Sequence, residues 1–130
     1  MRIPVLTVLL LVGATAAPLA ADDARADAKK QVEFGITVAQ RGLWREAIYR
    51  WQRATQIDPK YAEALNNLAI AYEHEGDLEK ARVAYAKALE LAPNNALIKQ
   101  NYELFKEIND RTTRKASQDS QDNQGNQVSQ

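Results

Sequence analysis

Cysteine is absent from the 130-residue chain. Its absence excludes disulfides, thiolate metal sites, a cysteine nucleophile and lipid attachment at a cysteine. Histidine occurs once, as His74 between two glutamates, and neighbours on a helix point to different sides. No metal site is expected from it, and it reads as a solvated side chain. Serine is confined to Ser117, Ser120 and Ser129 near the C-terminus, so no serine nucleophile sits on a rigid element. The five glycines are scattered and form no phosphate-cradling loop. The carboxylates Glu75, Asp77 and Glu79 read as a solvated turn rather than an acid–base pair. Charge of one sign is missing too: 17 basic residues face 17 acidic ones. A nucleic-acid binder would carry a positive balance to neutralise phosphates, so none is expected as a partner. Neither an enzyme nor a cofactor is expected.

A long hydrophobic run is also lacking. The one apolar stretch, Ile3 to Ala17, is about 15 residues, short of the roughly 20 that cross a bilayer as a helix. It follows Arg2 and leads into small residues, then Asp22 and Asp23. That is the layout of a secretory leader. Residues 1–21 are therefore expected to be a signal peptide cut after Ala20 or Ala21, with a second small-x-small site at Ala24 to Ala26. No stable membrane span is expected once it is gone. The location is expected to be outside the cytoplasm, in a bacterial periplasm.

What is present is an echo. Shifted by 34 residues, Gly42 meets Gly76, Ala47 meets Ala81, Trp51 meets Tyr85, Ala54 meets Ala88, and Pro59 meets Pro93. Upstream, Phe34 and Gly35 meet Leu68 and Ala69, and Val38 meets Tyr72. Self-similarity at this period is the signature of a helical repeat array. Each match has a reason. Gly42 and Gly76 end a helix where only glycine takes a left-handed conformation cheaply. Gly35, Ala69, Ala47 and Ala81 are small enough for helices to cross closely. Trp51 and Tyr85 fill the space between units, Ala54 and Ala88 let the next unit dock, and Pro59 and Pro93 force the chain to turn.

These residues resemble the tetratricopeptide repeat. The second unit, 62–95, matches it at Leu65, Leu68, Ala69, Tyr72, Ala81, Tyr85, Ala88 and Pro93. The first, 28–61, departs at Gln31, where a large apolar residue is usual, and at Val38, where an aromatic is usual. The resemblance implies an all-α fold: two helix-turn-helix units of a right-handed α-solenoid fragment. Helices are expected near 24–41, 44–57, 62–75 and 78–91. A C-terminal capping helix follows at 95–111, with Asn95 as N-cap and an apolar stripe of Ile98, Tyr102, Phe105 and Ile108. The repeat domain is thus 22–111. Residues 112–130 hold only Ala116 and Val128 as apolar side chains and are expected to be a disordered polar tail.

The resemblance further implies that a peptide binds the concave face, lined by the first helix of each unit. In this sequence that places Val32, Ile36, Ala39 and Gln40 from unit one, and Asn66, Ile70, Glu73 and His74 from unit two, in a groove for a protein or peptide partner. Lys29 and Glu63 border it, and Leu97, Asn101 and Leu104 extend it. Some relatives clamp a terminal carboxylate with asparagines and cations. Only Asn67 fits that pattern here, since Val32, Ile36, Leu97 and Asn101 stand where the other clamp residues would be. An apolar anchor suits the groove better. Trp51 reads as core and Trp44 as partly exposed. Finally, unit one carries seven basic and three acidic residues, and unit two three basic and six acidic. Opposite ends leave a homo-oligomer, stacked through the repeat ends, as the alternative.

Overall fold

The computed structural model describes the backbone of residues 17–127 and the side chains of residues 20–121. Five helices follow in order: α1 (Ala17–Gln40), α2 (Trp44–Ile57), α3 (Ala62–His74), α4 (Leu78–Leu91) and α5 (Ala96–Gln127). The expected leader falls mostly on 1–16, outside the described residues. The expected cut after Ala20 or Ala21 falls inside α1.

The 34-residue echo reappears in the backbone. Gly42 and Gly76 both take φ +79°. After α1, the Gly42 N–H donates to Ala39 O (2.8 Å) and the Leu43 N–H to Val38 O (3.0 Å). After α3, the Gly76 N–H donates to Glu73 O (3.0 Å) and the Asp77 N–H to Tyr72 O (2.8 Å). Both turns are the same glycine-dependent helix stop, which satisfies two orphan carbonyls at each end. The next helix starts at once. Asp77 caps α4 by accepting the Lys80 N–H, while Leu43, which has no acceptor, leaves α2 without a side-chain cap. Asn95 caps α5 by accepting the Ile98 N–H at 3.1 Å.

Small residues set the packing. Ala47, Ala54, Ala64, Ala69, Ala71, Ala81 and Ala88 are fully buried at the helix contacts, where small side chains let the helices approach closely. At the α1–α2 crossing Trp51 lies flat on α1, and its indole Nε1 donates to Val32 O (3.1 Å). A Cβ at Gly35 would lie 2.8 Å from Trp51 Cδ1, so this position admits only glycine. At the other end Tyr85 stacks on Tyr102 and Phe105 of α5, with centroids 5.8 and 5.4 Å apart. Ile98 is buried beside Ala88. These contacts make α5 the cap of the array.

The layering follows from which helices meet. α1 touches α3 and α3 touches α5, whereas α2 and α4 do not come together among the described residues. The α1–α3–α5 layer is therefore the inner, tighter side of the curve, and α2 and α4 form the outer side.

Three elements differ from expectation. First, α5 does not stop at 111: it continues to Gln127, through residues expected to be an unordered tail. From Arg111 to Gln121 every side chain is exposed and rests on no other element. The hydroxyls of Thr112, Thr113, Ser117 and Ser120 bond back to the carbonyl four residues earlier, and no proline interrupts the run. Second, Ile108 leaves the buried stripe and is 49% exposed, because α4 ends before it and gives it nothing to pack on. Third, Phe34, aligned with the buried Leu68, is exposed. Among the described residues no helix covers it, and the Arg50 guanidinium lies over its ring at 4.3 Å instead.

The start of α1 is tied down as well. Arg25 pairs with Asp58 in the α2–α3 loop and lies over the Tyr61 ring at 4.7 Å. Burial alone would raise the Asp58 carboxyl, but the Arg25 bond and the Lys60 backbone N–H outweigh it and hold it below the ordinary range.

Candidate functional site

Between α1 and α3 the inner face opens into a cavity of about 280 Å3. Ile36, Ala39 and Gln40 form one wall, Asn67 and Ile70 the other, and Trp44 and Trp51 of α2 the floor. The helices dictate this. Ile36, Ala39 and Gln40 recur at spacings of three and four residues, which place them on one face of α1. Asn67 and Ile70 do the same on α3.

Four of the eight expected groove residues, Ile36, Ala39, Gln40 and Ile70, come together around this cavity. Ile36 is 41% exposed and Gln40 is exposed, so their side chains face solvent, whereas Ala39 and Ile70 are half-buried against the core. The other four are occupied elsewhere. Val32 is 5% exposed and belongs to the core, because the Trp51 indole presses onto its turn of α1. Asn66 is 4% exposed, and its Oδ1 accepts from Asn101 Nδ2 (3.1 Å), joining α3 to the cap. That bond occupies Asn101 too. Glu73 accepts the Tyr85 hydroxyl at 3.0 Å. Burial, and then the Glu73 charge, push the Tyr85 phenol far up, so it stays a donor. His74 is not simply solvated: its ring stacks on Trp44, with centroids 4.0 Å apart and planes 20° from parallel.

Trp44, Trp51 and Asn67 are cavity residues that the expected groove omits. Asn67 was visible only as part of a carboxylate clamp. Trp44 was expected only to be partly exposed, since position counting along inner helices does not reach a floor supplied by an outer one. Leu97 and Leu104 lie on α5, both more than half exposed, and continue the apolar surface.

No cluster of three or more potential metal ligands exists among the described residues. Nor does any of their helices have the length and apolarity to cross a membrane.

Paired helices, repeated with one turn motif and closed by a cap, define a helical-repeat solenoid. Family descriptions agree: "Tetratricopeptide repeat" matches residues 62–95 and "TPR repeat" matches 38–76. The chain is a tetratricopeptide repeat protein. It is similar to the photosystem I assembly protein Ycf3 of Rippkaea orientalis, 32% identical over 83 residues, covering 53% of this chain and 48% of the relative. It is similar also to the type IV pilus assembly protein PilF of Pseudomonas aeruginosa, 33% identical over 86 residues, 65% of this chain and 34% of the relative. The protein ycf37 of Pyropia yezoensis is 51% identical over 45 residues, 35% of this chain and 25% of the relative. The chain thus spans a quarter to about half the length of these curated relatives.

Proposed function

We propose that this protein is a non-enzymatic adaptor that binds a protein partner through the inner groove between α1 and α3, outside the cytoplasm. The observation that carries the reading is the cavity itself. Its centre is apolar, with Ile36 exposed on a face where a solvated protein would place a polar residue. Buried small residues make the walls rigid, so a guest meets a preformed surface. The assembly roles named for two relatives support a part in building a larger protein assembly. The leader-like N-terminal stretch supports the location. Residues 22–111 are the working domain in this reading.

The test is a crosslinking pull-down from the native envelope fraction. The protein is run beside an Ile36→Lys/Ile70→Lys double variant that retains full helicity. A partner captured by the first and lost with the second is the expected result. Equal capture by both would remove the groove from consideration.

A second reading is self-association, favoured by the excess of basic residues in unit one and acidic residues in unit two. It predicts a mass that rises with concentration and falls with salt in analytical ultracentrifugation. The cap works against it: α5 covers the end of unit two and turns toward solvent a face of matched charges such as Lys106 with Glu103.

A further inference from the structure

We infer that the inner groove is built for a basic amphipathic helix of the partner, lying across the inner helices with one large apolar residue every two turns. The inference rests on the proposed groove and names the guest.

The first argument is spacing. Ile36, Ile70 and Leu104 are 34 residues apart in succession, so they hold the same place on α1, α3 and α5. Ile36 and Leu104 are exposed and Ile70 half-buried, which makes an apolar ladder with one rung per inner helix. Packed helices lie about 8–10 Å apart. A guest helix rising about 1.5 Å per residue advances about 10.5 Å in seven residues and brings the same face round again. Apolar residues at i, i+7 and i+14 therefore meet successive rungs. An extended guest returns to the same face after about 6.6 or 13 Å, and neither fits.

The second argument is charge. Glu33 is one turn from Ile36 on the same stripe of α1, and Glu63 is two turns from Ile70 on α3. Both are exposed, and neither is ion-paired among the described residues. Burial first, then the charge and hydrogen bond of Glu63, push the Tyr61 phenol up; Arg25 opposes them and Glu33 adds the smallest effect. Beyond Ile70, Glu73 is already taken by the Tyr85 hydroxyl, so the open carboxylates are Glu33 and Glu63. Of the cations nearby, Arg25 pairs with Asp58 and Arg111 with Glu107, while Lys60 beside Tyr61 is in no ion pair among the described residues. Lys29 is the one cation on the α1 stripe with no such partner among the described residues. Open carboxylates on both walls beside an apolar centre favour lysine and arginine flanking the guest's apolar stripe.

The test uses the full chain and three labelled synthetic helices of about 20 residues, a length that spans the three rungs. One carries leucine at every seventh position among lysine and alanine. The second replaces lysine by glutamate. The third keeps the lysine composition but scatters the leucines around the helix. Fluorescence anisotropy should show the first bound, and the other two weaker by about tenfold or more. Glu33→Lys/Glu63→Lys, both exposed, should weaken the first peptide to a similar extent with unchanged circular dichroism. Equal binding of the scattered peptide would overturn the ladder, and equal or tighter binding of the acidic one would overturn the charge argument. If no peptide binds yet Ile36→Lys/Ile70→Lys still loses the captured partner, the guest is wrong and the groove stands. If no peptide binds and that variant captures normally, both readings fall.

Discussion

Gly35 and Trp51 form the least forgiving contact in the protein. Gly35→Ala pushes a methyl group to 2.8 Å from Trp51 Cδ1. Overpacking of this kind costs about 1–3 kcal/mol, and urea denaturation should show a loss in that range. Ala69, the same place in unit two, already carries a fully buried Cβ, so the restriction belongs to the Trp51 side of the pattern. The Asp58–Arg25 pair acts on pH instead. The carboxyl is held below its ordinary value in the folded chain, so its stabilising contribution is full above the ordinary range and fades as the pH falls through the folded value. Arg25 is half-exposed, so the pair is worth about 0.5–1 kcal/mol. Asp58→Asn should be that much less stable at neutral pH. Denaturation curves in strong acid should bring the two proteins together.

At the scale of the element, the cap separates into two parts with different work. Ile98 is 1% exposed and Phe105 is 3% exposed, whereas the residues from Arg111 to Gln121 touch no other helix. Ile98→Ala should cost about 2–5 kcal/mol by leaving a cavity under α5. Truncation after residue 111 should leave the thermal midpoint nearly unchanged. A shift of more than a few degrees on that truncation would show that the distal half of α5 supports the array. The repeated turns make a matched pair. Gly42→Ala and Gly76→Ala should each cost about 1 kcal/mol, from forcing a left-handed conformation on a residue with a Cβ.

The elements and their order were readable because glycine, alanine, aromatic and proline recur at one period, and each type has a single packing job at its position. The site was less readable. Val32 and Asn66 occupy groove positions by counting, yet Trp51 covers one and Asn101 takes the other. Counting assigns a direction to a side chain but does not see what already stands there. The distal part of α5 was unreadable for the opposite reason. Its composition has nothing to bury, and its helicity rests on local hydrogen bonds alone.

At the scale of the whole molecule, two units are few for a repeat array, in which each unit buries its faces on its neighbours. The first unit and the last are covered in different ways. Arg25 and Arg50 lay aliphatic stems and guanidinium planes over Tyr61 and Phe34 at the first unit, and α5 covers the last. Unfolding should therefore be a single cooperative transition, with far-ultraviolet dichroism and near-ultraviolet aromatic signals coinciding. Transitions that separate would mean that the two units melt independently.

The Trp44–His74 stack has an optical consequence. An imidazole 4.0 Å from an indole is close enough to quench its emission, and this indole floors the groove while the other, Trp51, is buried. In a Trp51→Phe protein the remaining fluorescence would come from the groove alone. A guest that parts the rings would brighten it, and one that dries the floor would shift it to the blue. The protein thus carries its own lamp at the place where occupancy is in question, readable without a label.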